Sequence, residues 1–125
     1  MIHLTQETNN IKVELKALTV GNDLNVTICG GDQPHIGAVA VALPRASLLD
    51  ENQRSASTSV ITVPGHKEDL IAHRAAGQIT TATGHVTTVT CGVHLDDASL
   101  PQIQQIDQMI GQLTTELIER ITRQN

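Results

Sequence analysis

Apolar and polar residues alternate along Ile11-Lys12-Val13-Glu14-Leu15-Lys16, and the pattern continues through Leu18 and Val20. After Gly21-Asn22-Asp23 it resumes, with Leu24, Val26 and Ile28 set against Asn25, Thr27 and Cys29. A period of two marks a strand with one wet face, and Gly-Asn-Asp supplies turn chemistry, so the two runs predict a β-hairpin. Residues 1–10 are polar and read as a loose or edge segment. GAVAVAL (Gly37–Leu43) is small and β-branched, which suits a central strand buried on both faces and ended by Pro44. Arg45–Ser59 reads as a polar surface loop with a mobile portion at Ser55–Thr58, and Thr58–Val63 as a fourth strand.

The period then changes. Ile71, Ala75, Ile79 and Ala82 recur at helical spacing, with Ala72 and Ala76 beside them, so a helix is expected over Lys67–Thr81. Its alanines suit close docking on a sheet, and Glu68 and Asp69 suit the positive end of its dipole. Val86–Leu95 reads as a strand with Val89, Cys91, Val93 and Leu95 on one face and Thr88, Thr90, Gly92 and His94 on the other. Ser99 with Gln102 forms a capping box and Pro101 suits a first turn. The stripe Ile103, Ile106, Ile110, Leu113, Leu117 and Ile121 marks a long last helix ending in Arg120 and Arg123. The order β-β-β-β-α-β-α predicts one α+β domain over residues 1–125: a two-layer sandwich of two helices on a mostly antiparallel five-stranded sheet. The first helix would cross from the fourth strand to the fifth, giving room for one parallel pair. The last helix suits either the core or a homodimer axis.

Composition narrows the function. A net charge of −5 gives no basic footprint for nucleic acid and counts against anionic membranes. Met1–Thr8 has no leader pattern and no apolar run is long enough to span a bilayer, so a soluble, cytoplasmic protein is expected. Two cysteines, Cys29 and Cys91, make no disulfide framework. Phe, Tyr and Trp are absent, so Ile, Val, Leu and Ala must build the core, and a planar ligand would have to be faced by aliphatic side chains, histidine or an arginine plane.

Two junctions carry candidate chemistry. In GGDQPHIG (Gly30–Gly37) three glycines, a proline and a histidine shape a loop whose backbone N–H groups suit an anion, with His35 among them. Gly65-His66-Lys67 leads into a helix N-terminus, a natural phosphate position, although Glu68 and Asp69 oppose an anion there. A glycine-rich structural connection explains the first junction equally well. Cys91 among valines reads as a small buried hydrophobe. The six histidines show no metal-ligand spacing, and no nucleophile elbow, Walker or dinucleotide motif is present.

Three segments together, GGDQPHIGAVAVALPR (Gly30–Arg45), VPGHKEDLIAHRAA (Val63–Ala76) and TVTCGVHLDDAS (Thr88–Ser99), resemble the LpdD-like small D-subunit family associated with bacterial UbiD-type gallate decarboxylases. The resemblance spans most of the chain. It implies a non-catalytic chaperone that binds reduced prenylated FMN and delivers it to an apo UbiD-type phenolic acid decarboxylase, the large subunit. A flavin prenyltransferase would be a further partner. On the matched segments, Gly30, Gly31, His35 and Gly37 are the first cofactor-binding candidates. His66 and Lys67 follow as phosphate or hydrogen-bond donors, then Cys91, Gly92 and His94. Two other classes stay open: an accessory subunit that stabilises the decarboxylase without binding flavin, and a small enzyme using His35 or His94 as acid–base.

Overall fold

A computed structural model describes residues 1–64 and 68–124. Eight elements follow in order: β1 (Ile2–Thr8), β2 (Ile11–Val20), β3 (Asp23–Gly31), β4 (Ala38–Ala46), β5 (Arg54–Thr62), α1 (Asp69–Thr83), β6 (Thr87–His94) and α2 (Leu100–Arg123). The strands form one six-stranded sheet in the order β1-β2-β3-β6-β4-β5. Only β3 and β6 run parallel; the other four ladders are antiparallel. The α+β class stands, with six strands in place of the expected five.

The extra strand is β1. Its register with β2 runs from Ile2↔Ala17 to Thr8↔Ile11, and Asn9 and Asn10 close the turn at φ 51° and 65°. Two positive φ values in a two-residue loop make the tight hairpin turn that matches strand twist, and asparagine tolerates them. The segment is an edge strand that buries Leu4 and turns polar residues outward, which explains its polar appearance in sequence. β5 corrects the expected loop in the same way: its ladder begins at Arg54, so Ser55–Thr58 is paired strand on the opposite edge.

The one parallel pair does not join the strands flanking α1. β6 leaves that helix and enters between β3 and β4, where Leu24↔Thr87 to Gly31↔His94 pair on one side and Ala38↔Cys91 to Ala42↔Thr87 on the other. β4 is buried on one face only: Ala38, Ala40 and Ala42 are fully buried, whereas Val39, Val41 and Leu43 are exposed. It also runs through Pro44. The β4–β6 ladder ends at Ala42, so Pro44 lies where β4 has β5 alone as a neighbour, a position that spares it a missing ladder bond.

Helix α1 lies over β4, β5 and β6, and α2 over β1 and β2, with the two helices in contact. Ala72, Ala75 and Ala76 of α1 share the core with the three buried alanines of β4, small groups that let helix and sheet approach closely. Larger aliphatics fill the rest: Val13, Leu15, Val26 and Ile28 from the sheet, Ile110, Leu113 and Leu117 from α2. The capping box is formed as expected. The Ser99 side chain accepts from Gln102 N–H, and Gln102 Oε1 accepts from Ser99 N–H at 2.9 Å. Among the described residues no helix is long and apolar enough to cross a membrane.

Candidate functional site

β6 lies between β3 and β4, so the chain leaving β3 must cross it to begin β4. The glycine loop makes that crossing as a strap over the end of β6. Asp32 N–H donates to the His94 carbonyl at 2.7 Å and Gly37 N–H to the Cys91 carbonyl at 2.9 Å, with longer bonds from Gln33 N–H to His94 and from His35 N–H to Gly92. Glycine is required where backbone meets backbone. A side chain at Gly92 would overlap the His35 carbonyl, and one at Gly31, at φ 76°, would overlap that of His94. Gly30 is pressed in the same way against Lys12 and Val13. The exposed amides expected for an anion are thus committed to β6 carbonyls, and these three glycines are faced by protein atoms.

The strap also meets the second junction. Val63 N–H donates to the Gly37 carbonyl at 2.8 Å, just before Pro64. Glu68, the N-cap residue of α1, turns back over Gly37, where its carboxylate fills the space a side chain would take. Its Oε1 lies 2.9 Å from His35 Nε2. The other ring nitrogen, Nδ1, lies 3.0 Å from the Gln33 carbonyl oxygen. Glu68 is 9% exposed, and its Oε2 has no hydrogen-bond partner among the described residues. Buried carboxylate oxygens are rarely left so, because an unsatisfied acceptor carries its desolvation penalty uncompensated. His94 stands edge-on to His35 with ring centroids 6.4 Å apart, and its Nε2 lies 3.1 Å from Asp96 Oδ1.

Beside this cluster a cavity of about 310 Å³ opens between the end of β6 and the first halves of both helices. Its walls are aliphatic: Ile71, Val93, Leu95, Ile103, Ile106 and Ile110, with Ala98. Glu68, Cys91 and His94 supply its polar atoms, and among the described residues no Lys or Arg lines it. The volume lies at the lower end of the range of about 300–1,000 Å³ usual for small-molecule sites. Burial first, and then the charge of Glu68, push the Cys91 thiol up to about 12, which keeps it protonated and non-nucleophilic at neutral pH. Among the described residues no three His, Cys, Asp or Glu side chains converge as a metal-binding set.

The sequence-predicted residues therefore divide. His35, Gly37, Cys91, Gly92 and His94 come together around one end of β6, and the two junctions meet there. Cys91 and His94 border the cavity; Gly92 is buried beneath the strap. His66 and Lys67 lie outside the described residues. In sequence Glu68 reads as a complement to the helix dipole and as a charge opposing an anion, and the isoleucines that wall the cavity read as core, since Ile71 belongs equally to the apolar face of α1 and Ile103, Ile106 and Ile110 to the stripe of α2.

Comparison with known proteins adds the decisive observation: residues 7–122 match the prenylated flavin chaperone LpdD-like domain. The chain belongs to this family. Protein LpdD of Lactiplantibacillus plantarum is 27% identical to it over 118 residues, covering 94% of this chain and 83% of that protein. The family match takes in every strand and helix in whole or in part, so the LpdD-like domain is the fold described above, with the strap, the Glu68 cluster and the cavity inside the matched region. Membership supports a chaperone role for prenylated flavin.

Proposed function

We propose that the protein binds reduced prenylated FMN and hands it to an apo UbiD-type decarboxylase acting on phenolic acids, with no covalent chemistry of its own. The observation that carries this reading is the aliphatic cavity beside the His35–Glu68 pair, within the region matched to a prenylated flavin chaperone family. When bound, the cofactor supplies the decarboxylation chemistry to the partner enzyme; this chain supplies shelter. Its residues fit that task. The cavity walls are apolar enough to receive a hydrocarbon-modified ring. No Phe, Tyr or Trp is present to stack on the ring, so binding rests chiefly on aliphatic contact, with the His94 imidazole at the cavity edge, and release breaks little stacking. The one thiol at the cavity is held protonated, so it does not attack an electrophilic ligand.

The test is anaerobic calorimetry of the isolated protein with reduced prenylated FMN, run beside plain FMN, followed by mixing the loaded protein with apo-decarboxylase. Saturable binding of the prenylated cofactor and recovery of decarboxylase activity on mixing are the expected results. A protein that binds neither flavin, with the cofactor shown intact, would overturn the reading in favour of an accessory subunit.

A further inference from the structure

We propose that the cavity takes its ligand ring-first and leaves the phosphate in solvent, so that the protein recognises a hydrocarbon-rich ring system and not a phosphate ester. This deepens the reading above and rests on it. Three observations converge. The cavity, of about 310 Å³, is open to solvent on one side, so a ring-and-tail cofactor can enter with one end and keep the other in water. The lining decides which portion. Seven aliphatic side chains surround it, no Lys or Arg among the described residues does, and the acidic group present, Glu68, is 9% exposed. A phosphate dianion brought against a buried carboxylate would lose its hydration and gain repulsion, whereas the hydrocarbon part of the ring system gains by leaving water. The cradle expected in the Gly30–Gly37 loop is also closed, because the amides of Asp32, Gln33, His35 and Gly37 already donate to β6 carbonyls.

The inference separates this protein from most nucleotide and flavin binders, in which backbone amides at a glycine turn take the phosphate. Here Gly30, Gly31 and Gly92 are packed against backbone where strap and sheet meet, and affinity comes from the aliphatic walls. Ile103 is half exposed and borders the cavity, so it can be changed without touching the buried core.

The experiment compares reduced prenylated FMN with the same compound after enzymatic removal of its phosphate, both titrated anaerobically into the full chain. The expected result is affinities within about threefold of each other, with no competition from inorganic phosphate. Ile103→Asp should weaken both forms alike, by about tenfold or more, with the far-ultraviolet circular dichroism and the melting temperature of the wild type. A loss of about tenfold or more on removing the phosphate, or displacement of the cofactor by inorganic phosphate, would overturn the orientation while leaving the chaperone reading intact. Failure of both forms to bind the wild-type chain would instead remove the chaperone reading, and the orientation with it.

Discussion

Glu68 Oε1 lies 2.9 Å from His35 Nε2, and through this contact the N-cap residue of α1 holds the strap that crosses β6. Removing the imidazole leaves a carboxylate that is 9% exposed and already has one oxygen without a partner among the described residues. His35→Ala is expected to lower stability by about 1–3 kcal/mol, the penalty of an orphaned buried polar group. Glu68→Gln in the same chain should recover part of that loss, with a coupling of about 0.5–3 kcal/mol between the two positions. Urea unfolding of the four proteins, followed by far-ultraviolet circular dichroism, measures it; strictly additive losses would show that the contact carries no energy.

Gly92→Ala tests the strap itself. A methyl group there overlaps the His35 carbonyl, so the loop must lift from β6. Overpacking of this kind costs about 1–3 kcal/mol. Amide hydrogen exchange should show Asp32 and Gly37 losing protection ahead of the rest of the sheet, since their bonds to β6 are the ones the strap makes. An unchanged melt with unchanged protection at those two amides would refute the crossing as described.

The Cys91 thiol gives a pH-dependent prediction. Its folded pKa is raised from an ordinary 9.0 to about 12, by burial and then by the nearby Glu68 charge. The stability it lends is therefore fully present below pH 9 and is lost as pH climbs from 9 towards 12. Wild-type protein should lose urea resistance over that interval faster than Cys91→Ala, and the absence of tyrosine keeps the window free of phenol titration. Parallel pH profiles for the two proteins would contradict the assignment.

Alkylation offers a readout of the cavity. Cys29 is partly exposed and Cys91 buried, so iodoacetamide at neutral pH should modify Cys29 first and leave Cys91 intact until the chain unfolds. Mass spectrometry of native and urea-treated protein locates the adducts. Native modification of Cys91 at the rate of Cys29 would show the wall to be open.

Ser99→Ala removes the cap of α2, whose first turns carry Ile103 and Ile106 to the cavity. Loss of an N-cap costs about 0.5–2 kcal/mol. A fall in melting temperature is expected, with Ser99→Asp restoring most of it; no fall would mean that Gln102 holds the helix start unaided.

Much of this architecture is legible in the sequence wherever period and punctuation agree. The β2–β3 hairpin shows strict alternation around Gly21-Asn22, and α2 shows a stripe with a capping box. β1 escaped because an edge strand needs few apolar residues, and β5 because serine and threonine serve as well in an edge strand as in a loop. The insertion of β6 between β3 and β4 depends on which edges find each other in space, and no local pattern encodes that. The same insertion changes the meaning of the glycines. In sequence Gly30, Gly31 and Gly37 suggest free amides, but with a strand beneath them they become points of contact. Glu68 changed most, since an acidic residue at a helix start is ordinary until a strap and a helix enclose it.

The placement of β6 has a consequence for how the chain reaches its native state. Its neighbours β3 and β4 follow one another in sequence, yet they cannot be joined until β6 arrives, and Asp23 meets Val86 across 63 positions of chain. Two sheet fragments, β1-β2-β3 and β4-β5, each form from local contacts and then wait with an unpaired edge. Closing them demands a long-range pairing whose loop entropy is met before any contact repays it, so the last strand to be made in the sheet sets the pace of folding. A nascent chain stalled before residue 87 would therefore expose two edges able to pair with other chains. The strap can be laid down only after that joining, and the binding cavity is one of the last features of the molecule to exist.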